Sequence, residues 1–380
     1  MIQRQKAPYI ILLFIIPFFS CSKEICEITS FDPSYFIYEG QIGATGNSTV
    51  LAYDNNLLIC GNVSDKLTAL KISREGSIVW RNDFSREPNG RASGITESVD
   101  HDIFICGSVS RNNNLDTNDI LLVKLSPVGD TLWSKTYEAN YSTGGSRIIQ
   151  TSDHEILIAA RVEDPAQNIL DEFVLLKVDF EGNILWQRSY TNGISIFNII
   201  ETQDGNFLLT GVGPFQSNQG HLVLVKIDKN GGFLWEKVIG PENKLGHGTI
   251  ELSNGDLVTC GYLNSPGNND LQLLVLKTDS LGNVLWEMEY GKPEYGEIGQ
   301  VILENSDGGF TIAGYAIGVS ESGTENILLR IDSAGKLIWC QVFKEDKAGR
   351  CENLVKENDG SNIITGWYSG DIFMAKYDND

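Results

Sequence analysis

Two arginines of this chain, Arg91 and Arg350, each stand 11 residues after a tryptophan, Trp80 and Trp339. Guanidiniums at matched positions could grip a carboxylate or a sulfate through paired, charge-assisted hydrogen bonds. The plainer alternative is two solvated arginines offsetting nearby acids. His247 is the one histidine in a connection expected to lead inward, and an imidazole is the side chain best suited to exchange a proton near neutral pH. With no partner motif beside it, the alternative is a solvated loop residue. Tyr141, Tyr295, Trp367 and Tyr368 carry flat faces that stack on sugar rings or anchor a protein partner, although scattered exposed aromatics are also ordinary. Asp116, Asn118 and Asp119 gather oxygens, yet the spacing and distal glutamate of an EF-hand are absent, which favours a structural loop. The chain has no G-x-S-x-G elbow, no H-E-x-x-H and no phosphate loop. No catalytic residue, metal ligand set or cofactor is therefore assigned.

These residues are set within a repeat. The motif K-x-D-x-x-G-x followed by two apolar residues and Trp is clearest at residues 177–186 (KVDFEGNILW) and 277–286 (KTDSLGNVLW). Its basic position recurs at Lys71, Lys124, Lys177, Lys226, Lys277, Arg330 and Lys376. Its Trp recurs at Trp80, Trp133, Trp186, Trp235, Trp286 and Trp339, at steps of 53, 53, 49, 51 and 53 residues. A period near 50 residues signals a solenoid, a propeller or an array.

Each unit holds four strands. In residues 196–238 a short strand (197–201) reaches the hairpin signal Asp204-Gly205, a second strand follows (206–211), then a third (222–227), the turn at residues 229–231 and a fourth carrying Trp235. The third strands are apolar on both faces, which requires cover on both sides of every sheet, and blades packed between neighbours supply it. The seventh copy stops after three strands, and residues 34–39 stand where a fourth strand would precede a first hairpin. Pairing them with the last copy closes the ring and removes two exposed edges. The expected fold is an all-β, seven-bladed β-propeller with four antiparallel strands per blade, closed by the N-terminal strand.

What recurs in every blade is read as scaffold. The Trp should wedge between blades, the turn Gly should supply a positive φ, and the basic side chain should cross the neighbouring blade and pair with a carboxylate or an aromatic face. Seven lysine-type residues might suggest an anion site, but their recurrence favours this structural reading. A small residue precedes a Gly in the second strands, with Cys60, Cys106 and Cys260 matched by Ala160, Thr210, Ala313 and Thr365. These cysteines are expected to be buried packing thiols. Cys340 and Cys351 could form a disulfide in an oxidising compartment.

The D-x-x-G-x-x-x-W element resembles the tryptophan-docking repeat of pyrroloquinoline-quinone-type propellers. The whole unit, over residues 34–378, is similar to repeats of secreted β-propeller proteins of Bacteroidetes-like bacteria. Quinoprotein enzymes usually have eight blades and dedicated cofactor ligands, and this chain has neither, so no quinone cofactor is expected. Arg4 and Lys6 precede an apolar run from Tyr9 to Phe19 that is too short to span a bilayer and reads as a secretory signal. The Phe18-Phe19-Ser20-Cys21 end resembles a lipoprotein lipobox, with Phe18 where the family prefers Leu. The resemblance implies a lipidated Cys21, a signal at residues 1–20, a tether at 21–33 and the propeller over 34–380. If it fails, the chain is secreted.

The formal net charge is −21. Such a chain repels nucleic acid and anionic membrane surfaces, so attachment to a membrane should come from lipid alone. Connections between strands one and two, and between three and four, are short and uniform. The others lie on the opposite face and vary. Second-to-third connections include residues 108–118, 163–171, 213–220, 264–270 and 316–325, and fourth-to-first connections include 86–92, 138–146, 241–248, 292–296 and 344–350. Function should sit where the repeat breaks. The leading expectation is a monomeric, non-enzymatic envelope lipoprotein of the outer membrane whose variable face binds a protein or a glycan. The alternative is an enzyme with a channel-mouth site, either a quinoprotein-like oxidoreductase or a polysaccharide-degrading propeller. A third reading follows a fold-level analogy to the propeller lipoprotein of the outer-membrane barrel-assembly machinery, a pure interaction scaffold.

Overall fold

The computed structural model describes residues 23–24, 34–38 and 45–377, apart from 64–65, 85–89, 112–117, 139–141, 164–171, 192, 217–218, 241–242, 265–270, 293–294, 319–322, 344–348, 357–360 and 369–370. Two strands precede the first blade, β1 (Lys23–Glu24) and β2 (Ser34–Tyr38). Blade 1 holds β3 (Thr45–Leu51), β4 (Leu57–Val63), β5 (Lys66–Ile72) and β6 (Ile78–Phe84). Blade 2 holds β7 (Arg91–Glu97), β8 (Ile103–Ser110), β9 (Asn118–Leu125) and β10 (Thr131–Tyr137). Blade 3 holds β11 (Ser142–Gln150), β12 (Ile156–Glu163), β13 (Phe173–Val178) and β14 (Ile184–Tyr190). Blade 4 holds β15 (Ser195–Glu201), β16 (Phe207–Gln216), β17 (Gln219–Ile227) and β18 (Phe233–Ile239). Blade 5 holds β19 (Lys244–Glu251), β20 (Leu257–Asn264), β21 (Leu271–Thr278) and β22 (Val284–Tyr290). Blade 6 holds β23 (Gly296–Glu304), β24 (Phe310–Ile317), β25 (Thr324–Ile331) and β26 (Leu337–Phe343). Blade 7 holds β27 (Gly349–Lys356), β28 (Asn362–Tyr368) and β29 (Asp371–Tyr377), and β2 completes it.

Every sheet is antiparallel within its blade, and the first strand of each blade packs against the first strand of the next, β27 meeting β3. The protein is a seven-bladed β-propeller, and its inner strands enclose a central channel. Closure follows the expected pairing, with Ser34 opposite Lys376, Phe36 opposite Met374 and Tyr38 opposite Ile372. Across the seam, the Thr49 and Thr365 hydroxyls bond at 2.7 Å. One further pairing was not foreseen: β1 runs parallel to β22 on the outer edge of blade 5.

The repeat chemistry explains the turns. Asp179 Oδ1 accepts from the backbone N–H groups of Glu181 and Asn183, and Asp279 does the same for Leu281 and Asn283. Ser73 and Ser126 stand in for Asp in the first two blades. The turn glycines Gly76, Gly129, Gly182, Gly231, Gly282 and Gly335 all have φ between 75° and 89°. Gly129, Gly182, Gly231, Gly282 and Gly335 then serve as docks for the Trp of the preceding blade. A Cβ built on Gly129 would lie 2.7 Å from Trp80, and one on Gly182 would lie 2.8 Å from Trp133 of the preceding blade. Tyr137 and Tyr190, four residues after their Trp, donate at 2.8 Å to the carbonyls of Gly182 and Gly231. The tryptophans do bridge blades, but they are half-buried rather than wedged inside, because strand four is the outer edge of its sheet.

The basic column pairs with carboxylates of its own blade's hairpin: Lys71 with Asp54 at 2.7 Å, Lys124 with Asp102 at 2.9 Å, Lys277 with Asp256 at 2.9 Å. Lys177 meets both Asp153 and Glu155, and its ammonium also lies over the Phe207 ring of the next blade. Arg330 binds Asp307. Ion pairing accounts for these cations, as the scaffold reading requires. The suggested Cys340–Cys351 disulfide is not formed. Cys351 is a free, buried thiol, and Cys340 is disulfide-bonded to a different cysteine.

Candidate functional site at the channel

Each inner strand carries a β-bulge at the same repeat position. The register slips at Asn47, Ser93, Ser146, Phe197, His247, Gln300 and Glu352, so seven bulged residues ring the channel. A bulge places two residues against one partner and re-aims a side chain. It also pushes the carbonyl two residues upstream onto the neighbouring strand. A Cβ on Gly107 would lie 1.8 Å from Arg91 O, on Gly261 1.8 Å from Leu245 O, and on Gly366 2.0 Å from Arg350 O. This is why Gly follows the small residue in the second strand. In blade 3 the pairing corrects the sequence alignment. Ala159, opposite Arg147, is the small residue, and Ala160 occupies the Gly position, where it faces Gly145 across the ladder.

The scaffold repeats while its side chains do not. Three positions per blade differ most: the bulge, the residue two before it (where Arg91 and Arg350 stand) and the residue after the Gly column. That last position holds Asn62, Ser108, Arg161, Val212, Tyr262, Tyr315 and Trp367. All three lie toward the face where inner strands begin. The opposite face is built from repeated parts. Glu97, Glu201 and Glu251 end their inner strands there and accept from the backbone N–H of Tyr53, Ser152 and Gln203 in the preceding blade's hairpin. His101 and His154 occupy those hairpins at φ of 66° and 61°, a structural role as expected. Two open clefts lie on that face, one of about 440 Å³ between blades 4 and 5 and one of about 560 Å³ reaching from blade 3 to blade 5.

Around the channel, polar and aromatic groups of blades 4 to 7 come together, with Arg147 of blade 3 in electrostatic reach of them. Arg350 stacks its guanidinium over the Tyr315 ring, 4.0 Å from the centroid, and donates from Nη2 to the Tyr315 hydroxyl. Its Nε lies 3.2 Å from Glu352 Oε1 without hydrogen-bond geometry. His247 sits edge-on between Phe197 and Tyr262, with centroids 5.1 and 5.6 Å away. Its Nδ1 donates to Gly299 O at 3.1 Å, the carbonyl before the bulge of blade 6. Asn47 does the same for Ala92 O of blade 2, so the His247 contact is a form of a repeated inter-blade link. Burial, with the charges of Arg147 and Arg350, pushes the His247 pKa down to about 4. The imidazole is neutral at pH 7, with Nδ1 protonated and Nε2 the acceptor. Burial likewise pulls the Arg147 pKa below the usual arginine range, and the Glu352 carboxylate opposes that pull.

The sequence candidates are therefore only partly brought together. Arg350 and His247 belong to one cluster. Arg91 lies exposed at the start of β7, paired with Ser108 through the backbone, and no contact joins it to Arg350 among the described residues. Tyr295 is half-buried just before β23, its N–H donating to Lys292 O. Trp367 and Tyr368 lie opposite Arg350 and Gly349 in the ladder, but their side chains, like Tyr141 and Cys21, are outside the described residues. Asp119 pairs with Arg111, in keeping with a structural loop. Arg147, Phe197, Tyr262, Tyr315 and Glu352 were missed. The signal for the tyrosines was present, since both align with Trp367 one residue after the Gly column. Among the described residues, no three His, Cys, Asp or Glu side chains group to hold a metal, and no helix is long and apolar enough to cross a membrane.

The channel is thus that of a seven-bladed β-propeller whose blade-specific residues gather at one mouth. Solved structures agree on the fold. The WD40 domain of Pan2 from Neurospora crassa is similar over 92% of this chain and 98% of its own, with TM-score 0.59 and 12% identity. YCF48, solved bound to a D1 peptide, is similar over 93% of this chain and 98% of its own, with TM-score 0.56 and 8% identity. A Bacteroides caccae protein of unknown function is similar over 76% of this chain and 93% of its own, at 17% identity and a lower TM-score of 0.46. These likenesses show the fold alone. No family model matches the sequence, and no curated protein does.

Proposed function

We propose that this propeller is a non-enzymatic binding scaffold of the cell envelope. It is tethered through lipid on Cys21, and it takes a protein or glycan at the channel mouth where the inner strands begin. The observation that carries the reading is the contrast between the two faces. Hairpin-face residues repeat and are used up in inter-blade bonds, whereas the three positions around each bulge differ from blade to blade. Selection for a scaffold alone would not call for Phe197, His247, Gln300 and Glu352 at one repeated position. A ring of different groups on a rigid frame is how a propeller presents a specific surface. YCF48 holds a peptide on the same architecture, which supports a protein partner as one occupant.

The test is capture from envelope extract on the immobilised propeller, together with a glycan array. Binding should fall at least tenfold with Arg350→Ala or Tyr295→Ala and stay unchanged with His154→Ala on the opposite face. Equal binding by all variants contradicts the reading. Turnover of a polysaccharide or an alcohol that is lost on His247→Ala would replace it with the enzymatic alternative. Metabolic labelling with a palmitate analogue should mark the chain, and Cys21→Ser should abolish the label.

A further inference from the structure

We infer that the channel mouth is a receptor for a single carboxylate with an apolar or aromatic flank, held between Arg147 of blade 3 and Arg350 of blade 7. The inference rests on the proposed binding face and names the chemistry recognised there.

Three observations carry it. Arg147 projects from the bulge of β11, where its Nη1 donates to Ser146 O at 2.9 Å. It forms no ion pair with any described residue, although the side chain is only part-exposed and its burial pulls the pKa down. A desolvated cation without a bound partner is costly in a folded protein. Arg350 is only partly engaged: one nitrogen bonds Tyr315, and Nε has no hydrogen-bond partner. Glu352 lies beside Arg350 and also acts on Arg147, so two guanidiniums share one carboxylate. With His247 neutral, the cluster holds one excess positive charge inside a chain of net charge −21. The overall field repels anions. A local excess at the axis selects for one compact anion that can leave water, rather than for a polyanion.

The shape of the ring supplies the flank. Blades 1 to 3 carry the small bulge residues Asn47, Ser93 and Ser146, whereas blades 4 to 7 carry Phe197, His247, Gln300 and Glu352. Room is therefore left on the side of Arg147. Phe197 and Tyr262, both part-exposed, present aromatic surface from blades 4 and 5. A carboxylate bound to Arg147 would have a flat apolar wall within reach of its substituent.

The test titrates the full chain, labelled with ¹⁵N-arginine, with N-acetylphenylalanine and separately with its amide. The Nε resonances of Arg147 and Arg350, assigned from Arg147→Gln and Arg350→Gln, should move with the acid, saturating at a Kd on the order of millimolar. They should not move with the amide. Each substitution should weaken the acid at least tenfold. Failure of the wild-type resonances to move, or equal movement with acid and amide, overturns the inference without a variant needing to fold. Partner capture that remains sensitive to Tyr295→Ala while the acid does not bind would sink the carboxylate receptor and leave the proposed face standing.

Discussion

At the residue scale the account turns on glycines and one histidine. Adding a methyl group at Gly261 places carbon 1.8 Å from a carbonyl oxygen, so Gly261→Ala is expected to cost about 2–4 kcal/mol. Gly205→Ala meets nothing within 4 Å at φ 73°, and only backbone strain opposes it, about 1 kcal/mol. Urea unfolding of the two variants should separate them clearly, and equal costs would contradict the bulge argument. His247 titrates at about 4 when folded and near 6.5 when unfolded. The unfolded chain then binds more protons between those values, so stability falls as pH drops from 6.5 toward 4, by up to about 3 kcal/mol. His247→Gln should flatten that part of the pH profile, as urea midpoints across it would show. His247 and Arg350 were legible in the sequence as oddities in a repeat. Arg147 and Glu352 were not, because a bulge resets which residues of a strand face the channel, and strict alternation cannot anticipate an inserted residue.

At the scale of elements, the strand order and hairpins could be read directly from Asp-Gly and Asn-Gly signals, since those turns need residues that tolerate a positive φ. The depth of the tryptophans could not. A Trp at the end of a repeat motif suggests a buried wedge, but its strand is the outer edge of the sheet, and one face of the ring stays in water. Trp186→Ala is accordingly expected to cost about 1–3 kcal/mol, below the cost of a fully buried ring. Acrylamide should quench the native fluorescence appreciably, whereas full protection from the quencher would contradict half-burial. The misplacement of Ala160 has a different origin. Blade 3 lacks the Gly that marks the column elsewhere and carries Ala160 in its place, although the six-residue spacing from Asp153, the same as from Asp54 to Cys60, already points to Ala159, which the ladder sets opposite Arg147.

At the scale of the whole molecule, closure joins two ends of the chain more than 330 residues apart. It was legible because the last copy lacked a strand and the N-terminus had one to spare, a counting argument that needs no side-chain detail. In an antiparallel edge pair, one of any two consecutive residues donates to its partner strand. Replacing both Phe36 and Ile37 with proline must therefore remove a ladder bond to β29, and should cost about 2–4 kcal/mol. Calorimetry showing an unchanged unfolding temperature would contradict closure. The choice of a working face is the claim on which the functional account stands, and site-specific photo-crosslinking tests it most directly. A benzophenone side chain at position 295, beside the channel mouth, should trap the envelope partner, and the same group at position 154, on the hairpin face, should trap none. Trapping at 154 with none at 295 would place the partner on the repeated face and contradict the account.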